Sequence, residues 1–446
     1  MAHKHYNEFE DDAVGTNVFP YIGAQALLNH SKGELTMKVY RVGGAIRDKL
    51  LNFPSVENDW VVVGATSSQL IDLQYRPVGR NFPVFIHPTT GEEYALARTE
   101  MKTGHGYKGF AFHADPSVTL EQDLMRRDLT INAIAEDSNG NLIDPSSGQR
   151  DLRLKVLRHV SSSFVEDPVR VLRTARFAAR YHHLGFSVAS ETMPLMRSIS
   201  EGTELDHLTP ERVWKETEKA LLEESPHVFI KVLRQCGALK PLFPELDQLF
   251  GVKYRHQNHQ DSDRGYGALI ALEKTAKLSQ SGPIRFAVLV HSLGESINAD
   301  CELSSKSNRL DLRISMLKTL CDRLKMPKKY RELSMNFAKH YKTFFLAQQL
   351  EPSKLLKLIS AVSDKSSTCK FENFLLCCEG ISRDGECDDN EALISGRYVR
   401  SAIKIANSVV IASPKRDGLQ GPEIGLEIQK LQLAKLTEFK KNFSGR

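Results

Sequence analysis

The sequence predicts an α/β head, in which helices pack on a mixed sheet, followed by an all-helical neck, body and tail. Three observations carry this. Between Met37 and about Pro145, short apolar runs bounded by Gly and Pro alternate with helical stretches, the pattern of a sheet covered by helices. The first run ends in a diglycine, Gly43-Gly44, and opens directly into a helix. Beyond about residue 150 the strand signals stop, and apolar residues recur at helical spacing as far as a final helix near Leu426–Lys441.

In chain order, the strand candidates are Lys38–Val42, Asp59–Gly64, Val84–His87 and Glu93–Arg98. One helix is expected after Gly44 and another near Ser67–Leu73. Met101–Phe110 holds Gly104, Gly106 and Gly109 among Lys and His residues and reads as a mobile loop. The helical remainder begins with Asp167–Arg180, Pro210–Leu222 and Pro226–Gln235. Thr209-Pro210 is a helix start, with Thr as N-cap and Pro in the first turn. No internal repeat or extended low-complexity tract interrupts the pattern.

At 446 residues the chain is long for one domain. A hydrophobic content of 41% suffices for ordinary globular cores, and a net charge of +5 permits a nucleic-acid partner without demanding one. All seven cysteines lie at or after Cys236 with no CxxC pair, so neither a disulfide framework nor a zinc site follows; reduced cysteines in a cytosolic protein are the simpler account. No apolar run approaches the ~18 residues that a membrane span needs. Residues 1–36 carry Glu8, Glu10, Asp11 and Asp12 where a signal peptide would be basic. With Met37 immediately before the first strand, they read as a poorly ordered extension or as an upstream start chosen in place of Met37.

Glu57-Asn58-Asp59-Trp60 places two carboxylates one residue apart, ahead of the apolar run Val61-Val62-Val63. On a strand, i and i+2 share a face, so Glu57 and Asp59 aim side by side. Adjacent carboxylates repel unless a cation lies between them, which points to a divalent-metal site; two surface acids at a strand edge are the alternative. Glu93, on its own strand, could bring a third carboxylate to that face. The Gly43-Gly44 turn offers backbone N–H groups to an anion such as a triphosphate, and Arg47 lies close enough to clamp phosphate oxygens. The other partner for Arg47 is Asp48 or Asp59. Arg126-Arg127-Asp128, taken alone, reads as a solvated charge cluster.

In the run Glu166–Phe177, taken as a helix that continues to Arg180, Arg170, Arg173, Arg176 and Arg180 fall within one third of the circumference, and Val171, Leu172, Ala175, Ala178 and Ala179 form the opposite stripe. Residues 151–180 hold seven Lys and Arg against three Asp and Glu, which concentrates positive charge here. The helix either faces a polyanion or is a solvated basic surface.

VGGAIRD, the DW-terminated carboxylate pair, EEYALARTE, RRDLTINAIA, EDPVRVLRTARFAARY and LTPERVWKE resemble, in order, the motifs of class II tRNA nucleotidyltransferases. These are the CCA-adding enzymes of the poly(A) polymerase head superfamily, and the likeness is closest to the bacterial form with a C-terminal HD domain. It runs from Met37 to about Val252 and thins beyond. The resemblance implies a nucleotidyltransferase head at 37–150, a nucleotide-selecting and tRNA-binding helical neck at 151–250, and a helical body and tail with a degenerate HD-like region at 251–446. It implies template-independent addition of the 3′-terminal CCA of tRNA from CTP and ATP with Mg²⁺, in the cytoplasm.

Residue by residue, the resemblance puts Gly44 and Arg47 on the triphosphate, metal ligands at Glu57 and Asp59, and the base near the primer hydroxyl at Glu93. Arg127, Arg173 and Arg176 match nucleotide-binding arginines, and Asp167 with Arg170 match the pair that reads the incoming base. That pair makes independent sense. Cytosine and adenine each present an amino donor beside a ring-nitrogen acceptor, which suits a carboxylate beside a guanidinium. Guanine and uracil present a carbonyl in place of the amino group and oppose acceptor to acceptor.

Two departures stand out. Glu57 replaces the Asp of the family's DxD, and its extra methylene moves the carboxylate by about 1.5 Å. Mg²⁺ demands near-ideal octahedral geometry, so weakened or lost activity is expected. Arg285–Gly294 resembles the segment that bears the HD metal pair, but Ser292 replaces its Asp and Gly267 stands where an upstream His should be. His291 and His340 alone cannot hold a hydrolytic metal, so loss of the phosphohydrolase activity is expected. A poly(A) polymerase and a non-catalytic tRNA-binding paralogue are the rival readings.

Overall fold

The computed structural model describes residues 37–54, 58–78, 83–102, 104, 110–255, 261–295, 306–364, 369–382, 389–410 and 421–443. The expected extension 1–36, Glu57 and most of the Met101–Phe110 loop lie outside them.

The head carries β1 (Lys38–Val42), β2 (Asp59–Val63), β3 (Arg76–Pro77), β4 (Val84–Ile86), β5 (Glu93–Leu96), β6 (Thr99–Lys102), β7 (Phe110–His113), β8 (Ala135–Glu136) and β9 (Leu142–Ile143). Seven of these form one mixed sheet in the order β3-β4-β5-β2-β1-β8-β9, in which β2 and β5 run parallel and the other pairs antiparallel. The α/β head is therefore present as expected. Strict alternation along β2 feeds two cores. Val61 packs with Leu120 and Leu124 of one helix, and Val62 packs with Leu70 of another on the opposite face. Those helices are among α1 (Gly44–Leu50), α2 (Ser67–Asp72), α3 (Leu120–Met125) and α4 (Gly148–Leu154). Both α2 and α3 begin with a capping box, Thr66 with Gln69 and Thr119 with Gln122.

The strand ends differ from expectation for local reasons. The strand expected to reach Arg98 stops at Leu96, because the Arg98 amide turns to the Asp123 carboxylate at 3.3 Å. The expected loop Met101–Phe110 is flanked by an antiparallel hairpin, β6 with β7; the glycine signal belongs to the connection. Strands also recur after residue 150: β10 (Val156–Leu157) with β11 (Ser187–Val188), and β12 (Lys253–Arg255) with β13 (Asp261–Asp263). At two or three residues each they are too short to leave a period-2 signature.

The helical part contains α5 (Val169–Tyr181), α6 (Thr192–Glu201), α7 (Pro210–Leu222), α8 (Pro226–Gln235), α9 (Leu239–Leu242), α10 (Pro244–Asp247), α11 (Arg264–Leu278), α12 (Gly282–Leu289), α13 (Lys306–Arg323), α14 (Lys328–Phe345), α15 (Pro352–Val362), α16 (Cys369–Ser382), α17 (Asp389–Asn407) and a last helix, Gly421–Asn442. Thr209 takes the N-cap place before α7 with extended backbone and Pro210 in the first turn, but its hydroxyl makes no capping bond. One core runs from Ile46, Leu129 and Ile131 of the head through α5 and α8 to α12 and α13, so head and neck are welded by burial. A second core fills the tail around Phe337, Phe344 and Phe374. Among the described residues no helix is long and apolar enough to cross a membrane.

Candidate functional site

A cleft of about 650 Å³ lies between the head sheet and α5. Gly43, Gly44 and Arg47 line it, as do Asp59, Glu93, Arg127, Asp167, Arg170, Arg173 and Arg176. Every site residue read from the sequence therefore meets in one place except Glu57, which lies outside the described residues.

The acidic end is built by the sheet. Asp59 opens β2 and Glu93 opens β5, and the two are register partners across the parallel pair. Register partners share a face, so both carboxylates project into the cleft, and both side chains are exposed there. Glu92 fixes this corner by accepting from Asn58 at 2.9 Å and from the Trp60 indole at 3.1 Å. Two convergent hard-oxygen donors fit a small divalent cation and leave room for phosphate oxygens to complete its shell.

Gly43 turns the chain from β1 into α1 at φ 72°, a left-handed conformation that favours glycine. A Cβ there would lie 3.0 Å from the Arg127 guanidinium and 3.9 Å from the Asp59 carboxylate, so the turn is wedged between the two. Arg47 follows one turn later and is buried. It bonds Asp48 at 2.9 Å, the alternative partner foreseen for it, and also reaches the Asn132 amide oxygen. Its guanidinium lies 5.1 Å from the Phe177 ring and 5.5 Å from the Tyr181 ring, both on α5.

The Arg126-Arg127-Asp128 cluster is not solvated, contrary to its appearance in the sequence. Asp123, fully buried, accepts from Arg126 at 2.7 Å and from Arg127 at 3.1 Å. Asp128 accepts from Arg173 at 2.7 Å and from Asn132 at 3.0 Å. Burial opposes the charge on Asp128, but the Arg173 guanidinium, Asn132 and the Leu129 amide outweigh it and hold the carboxyl well below its usual range. Reciprocally, Asp128 raises the pKa of Arg173. Burial beside Arg126 lowers that of Arg98 to about 10.

Two of the α5 arginines, Arg170 and Arg176, are buried, while Arg173 and Arg180 are part-exposed and ion-paired with Asp128 and Asp48; Val171, Leu172, Ala175, Ala178 and Ala179 form the buried stripe. Arg176 bonds Glu216 of α7 at 2.7 Å and packs 4.4 Å from the Phe177 ring. Among the described residues no hydrogen bond joins Asp167 to the Arg170 side chain. Arg170 donates to the backbone carbonyls of Ser163 and Arg126, and Asp167 accepts from Arg212 at 2.9 Å. Nine arginines and four carboxylates line the cleft, an excess of positive charge suited to a polyphosphate.

Sequence reading missed Asp128, Asn132, Arg212 and Glu216. Arg212 and Glu216 are spaced i, i+4 within LTPERVWKE, and that spacing puts them on one face of α7. Asp128 and Asn132 have the same spacing but meet across an extended Leu129 and a single helical turn, Thr130–Asn132, which leaves no such signal.

In the HD-like region His291 is buried, with its Nδ1 2.6 Å from the Val288 carbonyl. Ser292 is buried beside it. The nearby carboxylate Glu295 accepts from Arg264 at 2.8 Å, from Lys342 at 2.9 Å and from Arg313.

Comparison with known proteins matches residues 39–158 to the poly A polymerase head domain and residues 185–250 to the "probable RNA and SrmB-binding site of polymerase A". The multifunctional CCA protein of Teredinibacter turnerae is 46% identical over 407 residues, covering 90% of this chain and 99% of that protein. Among solved structures, the Thermotoga maritima CCA-adding enzyme complexed with tRNA shares the fold at TM-score 0.60 and 22% identity, over 92% of this chain and 89% of that one. A CCA-adding enzyme in complex with CTP does so at TM-score 0.59 and 22% identity, over 90% and 87%.

Proposed function

Because the chain belongs to the multifunctional CCA protein family, we propose that it completes the 3′ end of tRNA. It adds cytidine and adenosine units from CTP and ATP without a template. The observation that carries this is the convergence of Asp59 and Glu93, from the head, with the arginines of α5, from the neck, in one cleft. In the reaction the tRNA 3′-hydroxyl attacks the nucleotide α-phosphate. A new P–O bond forms, the bond to the β-phosphate bridging oxygen breaks, and pyrophosphate leaves.

A divalent cation, used throughout this family and here read as Mg²⁺, would supply Lewis-acid stabilisation of the phosphoryl oxygens and a more acidic 3′-hydroxyl. Asp59 would hold it, together with Glu57. Glu93 lies on the same face to orient the primer hydroxyl and accept its proton. Gly44 and Arg47 bind the triphosphate, with Arg127, Arg173 and Arg176 supporting it. Asp128 and Glu216 keep Arg173 and Arg176 extended. Asp167 and Arg170 read the base edge; in the nucleotide-free arrangement each has another partner, so the incoming base completes the pair. On this reading 37–150 performs the chemistry, 151–250 selects the nucleotide and 251–446 supports the tRNA, in the cytoplasm where these substrates occur. The phosphohydrolase activity is lost: Ser292 offers no carboxylate, and Glu295 is taken up by three cations.

The test supplies the purified protein with tRNA lacking its last three nucleotides, together with CTP, ATP and Mg²⁺. Addition of two cytidines and one adenosine supports the reading. Open-ended ATP addition to any RNA would favour a poly(A) polymerase, and tRNA binding without incorporation would favour a non-catalytic paralogue.

A further inference from the structure

We propose that Arg212 is a positioning residue for nucleotide choice, acting through Asp167; this rests on the reading that Asp167 and Arg170 recognise the base. Asp167 precedes α5. Its Oδ1 accepts from the Val169 amide at 3.1 Å and its Oδ2 from Arg212 Nη2 at 2.9 Å. An Asp carboxylate otherwise turns freely about its terminal torsion, a broad, roughly two-fold rotor. One donor on each oxygen stops that rotation. The lone pairs left over are acceptors only, aimed at a fixed angle into the cleft that both residues line.

The anchoring helix is itself fixed at two points. Arg212 and Glu216 lie one turn apart on α7. Arg212 holds the carboxylate just ahead of α5 while Glu216 holds Arg176 in its middle. Thr209-Pro210 sets the start of α7 within one turn of Arg212. The base-reading residue and its brace thus come from different segments, both packed in the neck.

The consequence is differential. Cytosine and adenine present an amino group that a fixed acceptor meets in register with the guanidinium three residues on. Uracil and guanine present a carbonyl there and gain nothing from a fixed acceptor. Loosening Asp167 therefore harms the correct nucleotides and leaves the wrong ones almost unchanged, so discrimination falls. A general weakening of α7 would lower all four together.

The experiment measures kcat/KM for single additions of CTP, ATP, UTP and GTP by the full-length protein on shortened tRNAs. The variants are Arg212→Gln, Arg212→Lys, Asp167→Ala and the double variant Asp167→Ala/Arg212→Gln. Removing a charge-assisted hydrogen bond is expected to lower CTP and ATP use by roughly tenfold to a hundredfold in Arg212→Gln, with UTP and GTP changed by less than about threefold. Arg212→Lys, which keeps a cationic donor, restores part of the loss. In the Asp167→Ala background Arg212→Gln adds little further effect.

A parallel fall for all four nucleotides, unchanged discrimination in Arg212→Gln, or additive losses in the double variant would each overturn the proposal. If Asp167→Ala itself leaves discrimination intact, the base-reading premise fails instead. A melting curve for each variant identifies any that fail to fold. For those, Arg212→Met, which keeps the aliphatic stem, takes the place of Arg212→Gln under the same criteria.

Discussion

Asp59 and Glu93 face each other as register partners on parallel strands β2 and β5, which brings carboxylates from two separate sequence segments to the same end of two interior strands of the head sheet. The pairing makes the acidic corner a property of the sheet rather than of a loop. Its geometry is therefore tied to the buried valines that follow, Val61 and Val62.

Replacing Asp59 by Asn should lower nucleotide incorporation by at least about a thousandfold, a loss of some 4 kcal/mol of transition-state stabilisation. Replacing Glu93 by Gln should cost about a hundredfold, the scale of a lost general base. Single-turnover extension of a shortened tRNA measures both. Near-normal rates in Asp59→Asn would remove the metal site.

Glu57→Asp should raise the rate. Shortening the side chain returns the carboxylate to the position that the family's DxD uses, and a misplacement of about 1 Å is worth up to ~100-fold. Parallel assays in Mg²⁺ and Mn²⁺ check this. No incorporation by either protein in both metals would argue that the chain binds tRNA without acting on it.

The Asp128–Arg173 pair should show in the pH dependence of stability. The folded Asp128 carboxyl lies below its unfolded value of about 3.9. Its contribution is therefore fully present above that value and is lost as pH falls through the folded one. Asp128→Asn should melt lower than the native protein at pH 7, and the gap should narrow as the pH drops below about 4. Thermal melting from pH 7 to pH 3 reads the difference; a gap that widens in acid would contradict the assignment.

The HD-like region should hydrolyse neither phosphomonoesters nor phosphodiesters in Mn²⁺, Co²⁺ or Ni²⁺. Ser292→Asp alone should not restore turnover, because Glu295 remains engaged by Arg264, Arg313 and Lys342 and Gly267 supplies no ligand. Hydrolysis of an aryl phosphate that EDTA abolishes would show the centre to be alive.

The sequence made the head and most of the site legible where a physical pattern was local. The glycine turn at Gly43 and the strand at Asp59 were readable from adjacent residues, and helices α7 and α8 fell on their expected bounds because proline marks their first turns. What stayed hidden was partnership over distance. Nothing near Arg173 shows that Asp128, 45 residues back, accepts from it, and nothing near Asp167 shows Arg212, 45 residues on, holding it. Short strands such as β10 and β11 were invisible because two residues carry no period.

The seat of Arg47 against the Phe177 and Tyr181 rings, with Asp48 accepting from the Tyr181 hydroxyl at 3.1 Å, bears on how this protein can be engineered. A fragment ending at residue 150 would keep its acidic corner but strip the aromatic seat from Arg47, the arginine proposed to bind the triphosphate. A chimera that borrows the first 150 residues from another species keeps that seat only if a matching α5 comes with them, so the two portions are best transplanted as one cassette.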